Sequence, residues 1–368
     1  MDVNAVIAHL LRDMAAIQTD KQKAFGYKRA AAVVFDLERS LETMVTRDGT
    51  LEKVRGLGPA TSRIALEVLD TGESPTAARA IADSGKMLVV ERARSLRGHF
   101  LSRSETLRLL ADTNIHAVTR DQCRADFQMH SEWSDGTPTL AALATGAMAR
   151  GYTHIAVTDH SHGLAIAGGM SRDDVAKQHA EIDRVNRMHA GRFRIIKGVE
   201  ANIGPDGDLD LPPEEIASFE LVLAAPHSKL RKEDDQTARM LRAVETPGVH
   251  VLAHPRGRIS GTRAGVVADW DRVFATAAGA NVAVEIDGDP ARQDLDHTMG
   301  RRALDAGCLF ALDSDAHTVD QLDYADNAIA HARLAGIPAD RVINTWPPDR
   351  LLAWAKDRRA RRRRGRRK

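Results

Sequence analysis

Residues 309–317 read LFALDSDAH and, more than any other stretch, decide the fold class. The run Leu309–Leu312 has the length and the apolar composition of a buried strand. Asp313, Asp315 and His317 follow it directly, and carboxylates and imidazoles are side chains that bind divalent metal ions. A strand that ends in such groups is typical of a parallel α/β fold, in which functional sites lie at the carboxyl ends of the strands.

The same pattern of an apolar run with a polar end recurs through residues 125–345. The runs predicted as strands are Asp126–Met129, His154–Val157, Arg194–Gly198, Leu221–Ala225, Val249–Ala253, Val282–Ile286 and Leu309–Leu312. The amphipathic helices predicted between them are Leu140–Arg150, Arg172–His189, Asp234–Val244, Trp270–Ala278, Asp294–Ala306 and Gln321–Leu334. Seven strands that alternate with helices predict an α/β fold with a parallel sheet, and units of this kind can close into a barrel. The sequence has neither the glycine pattern of a dinucleotide-binding sheet nor a Walker-type phosphate loop.

Metal-ligand side chains follow nearly every predicted strand. In a parallel barrel all strand ends face one rim, so groups at several strand ends converge. The groups concerned are Gln128, His130, Asp135, Asp159, His160, Glu200, His227, His254, Asp315 and His317. A single one of them is more often a hydrogen-bonded structural residue, but the coincidence at six strand ends predicts one shared metal site. Because the set lacks cysteine, it suits Zn, Mn or Fe in a multinuclear site, and such sites favour hydrolysis of phosphate esters.

The charge of the chain is unevenly distributed, although 52 Lys and Arg nearly balance 51 Asp and Glu over 368 residues. Residues 358–368 carry nine basic side chains and no acidic one. Residues 121–357 carry 25 basic and 36 acidic side chains, and twelve of the fifteen histidines. An acidic centre between more basic ends fits a metal-loaded core whose ends face nucleic acid.

Several protein classes are excluded by the sequence. No apolar run approaches the length of a membrane span, and the N-terminus lacks the pattern of a secretory signal. Cys123 and Cys308 alone form neither a disulfide framework nor a cysteine-based zinc site. We therefore expect a cytoplasmic protein with no membrane partner and no nucleotide cofactor.

Residues 1–85 predict a small domain of short helices, with Ala5–Ile17, Tyr27–Met44 and Ala60–Leu69 at helical spacing. The turn Gly56-Leu57-Gly58-Pro59 separates the last two and resembles a helix-hairpin-helix motif. Backbone N–H groups of such a turn attract a phosphate oxygen, and basic residues flank it. The residues predicted to bind DNA are Arg55, Gly56, Gly58 and Arg63. The alternative is a plain turn between helices.

The remaining boundaries come from composition. Residues 86–123 are charged and are predicted to form a helical connector, and residues 124–357 form the α/β unit. Residues 358–368, RRARRRRGRRK, are predicted to be a disordered arm. Its basic side chains suit DNA or RNA phosphates, and a solubilising terminus is the equal alternative.

Eight short motifs within residues 124–357 resemble the PHP (polymerase and histidinol phosphatase) superfamily, above all the PHP domain of bacterial family X DNA polymerases. The motifs are DFQMHSEWSDGT, AVTDHS, GVEANI, APHS, AHPRGR, VEIDGDP, LDSDAHTVDQLD and VINTW. Residues 1–85, with GYKRAA and GLGPATSRIALEVLDTG, are similar to the helical DNA-binding domain of the same polymerases. The resemblance implies a distorted (β/α)7 barrel of PHP type, preceded by a small all-α helix-hairpin-helix domain.

The resemblance also implies a centre of up to three divalent ions, with a metal-bridging hydroxide that attacks the phosphoester. The metal ligands that it implies are His130, Asp135, His160, Glu200, His227, His254, Asp315 and His317. Glu200 is expected to bridge two ions, and catalysis is expected to depend on Glu200, His160 and Asp315. The implied activity is that of a DNA 3′–5′ exonuclease or 3′-end-processing enzyme in DNA repair.

The sequence departs from the family in two places. Gln128 stands where the family has the first histidine of His-x-His, and its neutral oxygen is at most a weak metal ligand. Only residues 86–124 separate the helical region from the barrel, and a polymerase palm with its paired aspartates needs far more chain. We therefore expect a hydrolase and not a polymerase.

Two questions stay open at this stage. Arg256, Arg258 and Arg263 follow the fifth strand, Lys229 follows the fourth, and Arg292 follows the sixth. Of these candidates Arg258 and Lys229 are predicted to bind phosphate, although many loop cations are plain surface charge. The function has two alternatives, a small-molecule phosphatase of the histidinol-phosphate type and a DNA-binding scaffold with weakened catalysis.

Overall fold

The computed structural model describes the backbone of residues 1–365 and side chains as far as residue 358. The chain divides into two compact units. Unit 1 comprises Met1–Asp112 with the short segment Ile259–Arg263, and unit 2 comprises Thr113–Arg258 with Ala264–Lys368. None of the described helices has both the length and the apolar composition that crossing a membrane requires.

Unit 1 is built from α-helices around one apolar core. The helices are α1 (Val3–Ile17), α2 (Lys21–Asp36), α3 (Pro59–Thr71), α4 (Pro75–Asp83), α5 (Met87–Ser95) and α6 (Arg103–Ala111). Ile7, Leu11, Leu41, Ile64 and Val90 are buried together in this core. The sequence drew a boundary at residue 85, whereas α5 and α6 belong to the same compact unit as the helices before them.

The predicted helix Tyr27–Met44 ends early, because α2 stops at Asp36 and only a single 3-10 turn, Leu41–Met44, follows. The cause is the buried side chain of Asn4. Its Nδ2 donates to the carbonyl of Arg39 at 3.0 Å, and its Oδ1 accepts from the backbone N–H of Leu41 at 2.9 Å. These bonds hold the segment after α2 in a non-helical path.

The glycine turn before α3 has a clear structural role. Gly58 is the cap of α3 and Pro59 its first residue, one residue before the predicted start at Ala60. Gly56 has a φ of +105°, and a Cβ there would lie 2.9 Å from Cγ2 of Val33. Because the described backbone before the turn is a loop rather than an α-helix, the helix-hairpin-helix assignment stays a prediction.

Unit 2 contains a seven-stranded parallel sheet. Its strands are β1 (Ala125–Asp126), β2 (His154–Val157), β3 (Arg194–Asn202), β4 (Leu221–Ala225), β5 (Val251–Leu252), β6 (Ala283–Asp287) and β7 (Leu309–Asp313). Each strand pairs in parallel with the next, in the order β1 to β7. Met129 and Ala316, which follow β1 and β7, form a parallel bridge that nearly closes the sheet. The predicted α/β fold with a parallel, barrel-like sheet is confirmed.

Helices surround the sheet. They are α7 (Leu140–Ala149), α8 (Arg172–Met188), α9 (Pro213–Ile216), α10 (Thr237–Glu245), α11 (Trp270–Ala280), α12 (His297–Asp305), α13 (Ala325–Leu334) and α14 (Pro348–Gly365). The helices α7 to α12 each lie between two successive strands in the chain, and α13 and α14 follow β7.

β1 and β5 are shorter than predicted, because side chains replace ladder partners where they end. The N–H of Phe127 donates to the side-chain Oδ1 of Asp313 in β7 at 2.8 Å, instead of to a backbone carbonyl of a neighbouring strand. The N–H of His254 donates to Oε2 of Glu285 at 2.5 Å. Each strand therefore ends, and a loop begins, shortly before a predicted metal ligand, His130 after β1 and His254 after β5.

The C-terminal basic segment differs from the prediction of a disordered arm as far as residue 365. Leu351, Trp354 and Ala355 of α14 pack in the barrel core, and the helix continues through Gly365. Arginine is a good helix former, so a helix that is anchored in the core extends into the basic run. The rest of the predicted arm, residues 366–368, lies outside the described residues.

Candidate metal centre

The eight predicted metal ligands all lie at the carboxyl-terminal rim of the barrel. β3 carries Glu200 itself, while loops that follow strands supply the others. Those others are His130 and Asp135 after β1, His160 after β2, His227 after β4, His254 after β5, and Asp315 and His317 after β7. The ends of parallel strands thus bring together residues as far apart in sequence as His130 and His317.

Glu200 lies at the centre of this cluster and is only 1 % exposed. Its Oε1 is 2.8 Å from Nε2 of His254 and 3.3 Å from Nε2 of His227. Its Oε2 is 3.0 Å from Nδ1 of His160 and 3.5 Å from Nε2 of His130. One buried carboxylate therefore faces four imidazoles, an arrangement that suits a carboxylate bridging two cations.

Asp135 and Asp315 complete the cluster on the opposite side. Oδ1 of Asp315 is 3.1 Å from Nε2 of His130. Asp135 lies 3.5 Å from Nε2 of His160 and 3.5 Å from Nε2 of His317. Ligand atoms of His130, Asp135, His160 and His317 all lie within 4.8 Å of one another, as do those of His160, Glu200 and His227. His160 belongs to both groups.

Several polar atoms of the cluster are buried without a hydrogen-bond partner in the described part of the chain. They are Nδ1 of His130, His160 and His254, Oε2 of Glu200 and Oδ2 of Asp315. Nδ1 of His160 and Oε2 of Glu200 are only 3.0 Å apart, but their angles do not make a hydrogen bond. Lone pairs that converge without pairing are costly unless a cation lies among them. The residues therefore fit divalent metal ions.

The pKa values of the cluster lead to the same conclusion. Burial alone would lower the pKa of His160, but Glu200 and then Asp135 outweigh burial and raise it to about 10. Burial likewise opposes protonation of His317, yet Asp135 and Asp315 raise its pKa to about 9. The carboxylates attract protons when no cation is near, and a divalent cation would replace those protons and leave the imidazoles neutral.

Two of the ligands have unusual backbone conformations. The φ angle of His254 is 24° and that of Asp315 is 53°, both in the left-handed region that non-glycine residues rarely adopt. The imidazole rings of two other predicted ligands have protein partners. Nδ1 of His317 lies 2.8 Å from the carbonyl of Asp315. Nδ1 of His227 lies 3.2 Å from Oδ1 of Asn202. Ring orientation is therefore set by contacts around the ligands.

Gln128 is fully buried at the edge of the cluster. Its amide lies between Asp315, whose Oδ1 is 3.5 Å from Nε2, and Glu285. When the amide is assigned from its hydrogen-bond partners, its nitrogen donates to Glu285. Glu285 therefore fixes the orientation of the Gln128 amide, and the contact of Nε2 to Asp315 belongs to the opposite orientation.

Arg292, which the sequence prediction left out of the site, lies beside the ligands. It follows β6, and its Nε is 3.3 Å from Oδ2 of Asp315 and 3.6 Å from Oδ2 of Asp287. Burial alone would lower the pKa of Arg292, but Asp315 and then Asp287 raise it above its ordinary value. A basic residue after a strand end was the available signal, and the sequence offered several such residues.

The two cations predicted to bind phosphate have other contacts. Arg258 is buried, with Nε donating to the carbonyl of Arg292 at 2.9 Å and Nη2 to that of Gln293 at 2.7 Å. It also pairs with Asp296 at 3.1 Å. The structure thus makes Arg258 a support for the Arg292 segment, in place of the predicted phosphate ligand. Lys229 is exposed, and its Nζ donates to the carbonyl of Pro205 at 3.1 Å, away from the ligand cluster.

The residues predicted to bind DNA all belong to unit 1. Arg55, Gly58 and Arg63 are exposed, and Gly56 is half-buried. The N–H of Gly58 donates to Oγ1 of Thr61 at 2.9 Å, so a side chain already satisfies it. The role of these residues in DNA binding stays a prediction.

Comparison with known proteins gives relatives for the barrel. The chain is 34 % identical over 234 residues to the DNA polymerase/3′-5′ exonuclease PolX of Bacillus subtilis, a match that covers 63 % of this chain. It is 26 % identical over 237 residues to a probable phosphatase of Enterobacter sp. strain 638, covering 60 % of this chain and 90 % of the relative. It is 28 % identical over 219 residues to a probable phosphatase of Tolumonas auensis, covering 57 % and 84 %. The chain spans only 40 % of the Bacillus protein's length.

Among solved structures, the histidinol phosphate phosphatase of Lactococcus lactis, in complex with zinc, L-histidinol and phosphate, is similar at a TM-score of 0.39 and 13 % identity. That likeness covers 65 % of this chain and 93 % of the Lactococcus chain. No protein-family model matches the chain.

Proposed function

We propose that this chain, whose barrel belongs to the PHP superfamily of metal-dependent phosphoesterases, removes nucleotides from the 3′ end of DNA. The observation that carries the proposal is the cluster of eight imidazoles and carboxylates around Glu200, with its buried, unpaired lone pairs. The Bacillus relative, whose name includes a 3′-5′ exonuclease, supports nucleic acid as the substrate. DNA repair is the expected setting.

The ligand residues would divide the metal ions between two overlapping groups. His130, Asp135, His160 and His317 would hold one ion, and His160, Glu200 and His227 another, with His254 and Asp315 adding donors. Bound divalent cations supply Lewis acidity, which polarises a phosphoryl oxygen and lowers the pKa of water. The protein's own contribution is to fix the donors, and the bound cations would leave the imidazoles neutral.

Arg292 is placed to orient the phosphoryl group. In both of its ion pairs the closest guanidinium atom is Nε, and its side chain is 23 % exposed. An arginine that is held along one edge can offer the other edge to two phosphoryl oxygens. Arg258 would act through Arg292, because it binds the carbonyl groups of Arg292 and Gln293.

The choice of DNA as substrate also draws on unit 1 and the basic C-terminal segment. Arg55 and Arg63 are exposed on either side of the turn that begins α3. Contacts of this kind would bind phosphates without reading sequence, and would bring the chain to many DNA ends alike. In this proposal unit 1 holds DNA and the barrel hydrolyses it.

The proposal is tested with an oligonucleotide labelled at either its 3′ or its 5′ end, incubated with Mn²⁺. Wild type is compared with Asp315→Ala and with Asp305→Ala, a control at an exposed carboxylate paired with Arg301 at 3.2 Å. We expect mononucleotides from the 3′ end with wild type and the control, and none with Asp315→Ala. Release from the 5′ end, or equal release by Asp315→Ala, would contradict the proposal.

A second candidate is a small-molecule phosphatase. It is favoured by the probable phosphatase of Enterobacter, of which the match covers 90 %. Histidinol phosphate in the same assay separates the two functions, since turnover of this substrate alone would favour the second. If neither substrate reacts and elemental analysis finds no metal, the result would favour the third function, a DNA-binding scaffold with weakened catalysis.

A further inference from the structure

A second concave site lies on the outer side of the barrel, with a volume of about 330 Å³. Its apolar walls come from α8, β3 and the segment around α9, and its mouth is polar. The apolar and aromatic wall residues are Met170, Val175, Ala176, Val199, Leu211 and Phe219. This volume is at the lower end of the ~300–1,000 Å³ of small-molecule sites, so it holds one ring system and not a polymer.

The cavity and the ligand cluster share a wall and a rim. Neighbouring residues of a strand face opposite sides, so Glu200 faces the metal ligands while Val199 lines the cavity. β3 therefore separates the two sites along most of their depth. They meet at the rim, where the cavity residues Ser161 and His162 directly follow the ligand His160.

The mouth of the cavity is held by polar contacts. Glu215 pairs with Arg172 and lies 3.5 Å from Nε2 of His162. Oγ of Ser161 donates to Oδ2 of Asp210 at 2.6 Å. These contacts hold the polar side chains at the mouth.

The interior is suited to a neutral ring. His179 and Phe219 form an edge-to-face pair with ring centroids 5.3 Å apart. Burial and then Lys197 lower the pKa of His179, so the imidazole is uncharged at neutral pH. A charged group would lose its hydration against such walls, whereas a flat heteroaromatic ring would bury its faces against apolar and aromatic side chains.

We infer that the cavity binds the nucleobase of the nucleotide whose phosphate lies at the ligand cluster. The inference rests on the proposed function, and it adds a subsite for the terminal base. A substrate would extend from the cluster over the rim at Ser161 and His162, with its base inserted beside Val199 and Phe219.

Two properties of the substrate follow from the size and walls of the cavity. Only an unpaired base can enter, so the 3′ end must be single-stranded or frayed. The walls read the ring faces more than hydrogen-bonding edges, so all four bases should be accepted.

The first test measures nucleoside binding to the metal-free full chain by saturation-transfer NMR, with thymidine and deoxyadenosine as probes. Ala176→Phe fills the cavity from an exposed position on α8, and Ala180→Phe adds the same ring at an exposed position of α8 outside the cavity lining. We expect transfer to both nucleosides with wild type and Ala180→Phe, and loss with Ala176→Phe. Absence of transfer with wild type, or retention with Ala176→Phe, would overturn the inference.

The second test compares oligonucleotides whose 3′-terminal residue is normal or abasic. Wild type should favour the normal end by about tenfold in kcat/KM, which corresponds to ~1.4 kcal/mol. Ala176→Phe should remove this preference, whereas Ala180→Phe should keep it. Equal rates on both ends with wild type would overturn the inference. If DNA is not hydrolysed at all, the proposed function fails, while the binding test still decides whether the cavity takes a nucleobase.

Discussion

The barrel rim and the turn before α3 were both predicted to bind phosphate-bearing ligands, but the polar atoms of the two regions differ in their hydrogen bonding. At the rim, Nδ1 of His160 and Oε2 of Glu200 are buried and make no hydrogen bond within the described part of the chain. At the turn, Oγ1 of Thr61 accepts from the N–H of Gly58 and donates to its carbonyl at 2.9 Å. The rim leaves buried polar atoms without a hydrogen bond, whereas the N–H and the carbonyl of Gly58 at the turn are both hydrogen-bonded. Unsatisfied buried groups are thus the stronger sign of a ligand.

The largest effect should come from removing the charge of Glu200. Glu200→Gln keeps the shape but leaves four imidazoles without their shared carboxylate. We expect a loss of activity on the order of a thousandfold, ~4 kcal/mol in the activation barrier, together with fewer bound ions per chain. Steady-state kinetics and elemental analysis measure both. Full metal content in Glu200→Gln would show that metal binding at the rim does not depend on this carboxylate.

The second effect is a pH dependence of the metal-free protein. The folded-state pKa of His160 is raised to about 10 by Glu200 and Asp135 despite opposing burial, above its ordinary 6.5. Its contribution to stability is therefore fully present below about pH 6.5 and is lost as the pH rises toward 10. The melting temperature measured after metal removal should fall across this window.

His160→Asn should flatten that fall, and His116→Asn, at an exposed position of unit 2, should not. Added divalent metal should also flatten it, because the cation replaces the protons. A melting temperature that rises between pH 7 and 10 in the metal-free wild type would refute the electrostatic account of the rim.

Arg292 should have an intermediate effect. Arg292→Gln removes a cation that lies 3.3 Å from Asp315, and we expect kcat/KM to fall about 10- to 100-fold, ~1.4–2.7 kcal/mol. Inorganic phosphate should also inhibit the variant less than wild type. Arg256→Gln is the matched control, since Arg256 is 22 % exposed against 23 % for Arg292 but pairs with Asp296. Equal losses in both variants would remove the special role of Arg292.

Part of the fold and of the candidate site could be predicted from the sequence. β2 and β4 have the predicted bounds because their apolar runs are buried on both faces. Parallel strand ends share a rim, so the sequence could predict one shared site there. The set of eight ligands came from the family resemblance and stays a prediction. Arg258 was preferred to Arg292 because sequence does not tell which loop arginine is buried against carbonyl groups.

Other features depend on contacts between distant residues. The segment after α2 is held in a non-helical path by Asn4, which binds Arg39 and Leu41, an interaction that no local pattern signals. The cavity beside β3 is formed by residues from Ser161 to Phe219, each of them unremarkable in its own segment. Local patterns give elements and strand-end chemistry, while long-range packing gives helix ends and cavities.

The smallest effect is expected at the turn. In the double variant Arg55→Gln/Arg63→Gln, two exposed cations are lost and the bonds of Thr61 to Gly58 are kept. We expect a few-fold loss of DNA affinity, ~1 kcal/mol, and a salt dependence reduced by up to about two phosphate contacts. Fluorescence anisotropy across a salt series measures both, and melting temperature and hydrolysis of a small phosphomonoester should not change.

Gly56→Ala is the matched comparison at the same turn. It disturbs the backbone and leaves the charges, because a Cβ at a φ of +105° would meet Val33. This variant should destabilise the protein by roughly 1–2 kcal/mol, and its DNA affinity while folded should stay near that of wild type. If the arginine variant binds DNA as tightly as wild type with an unchanged salt slope, the turn is only a turn. The barrel rim would then be a ligand site, and the turn before α3 would be only a structural connection between two segments of unit 1.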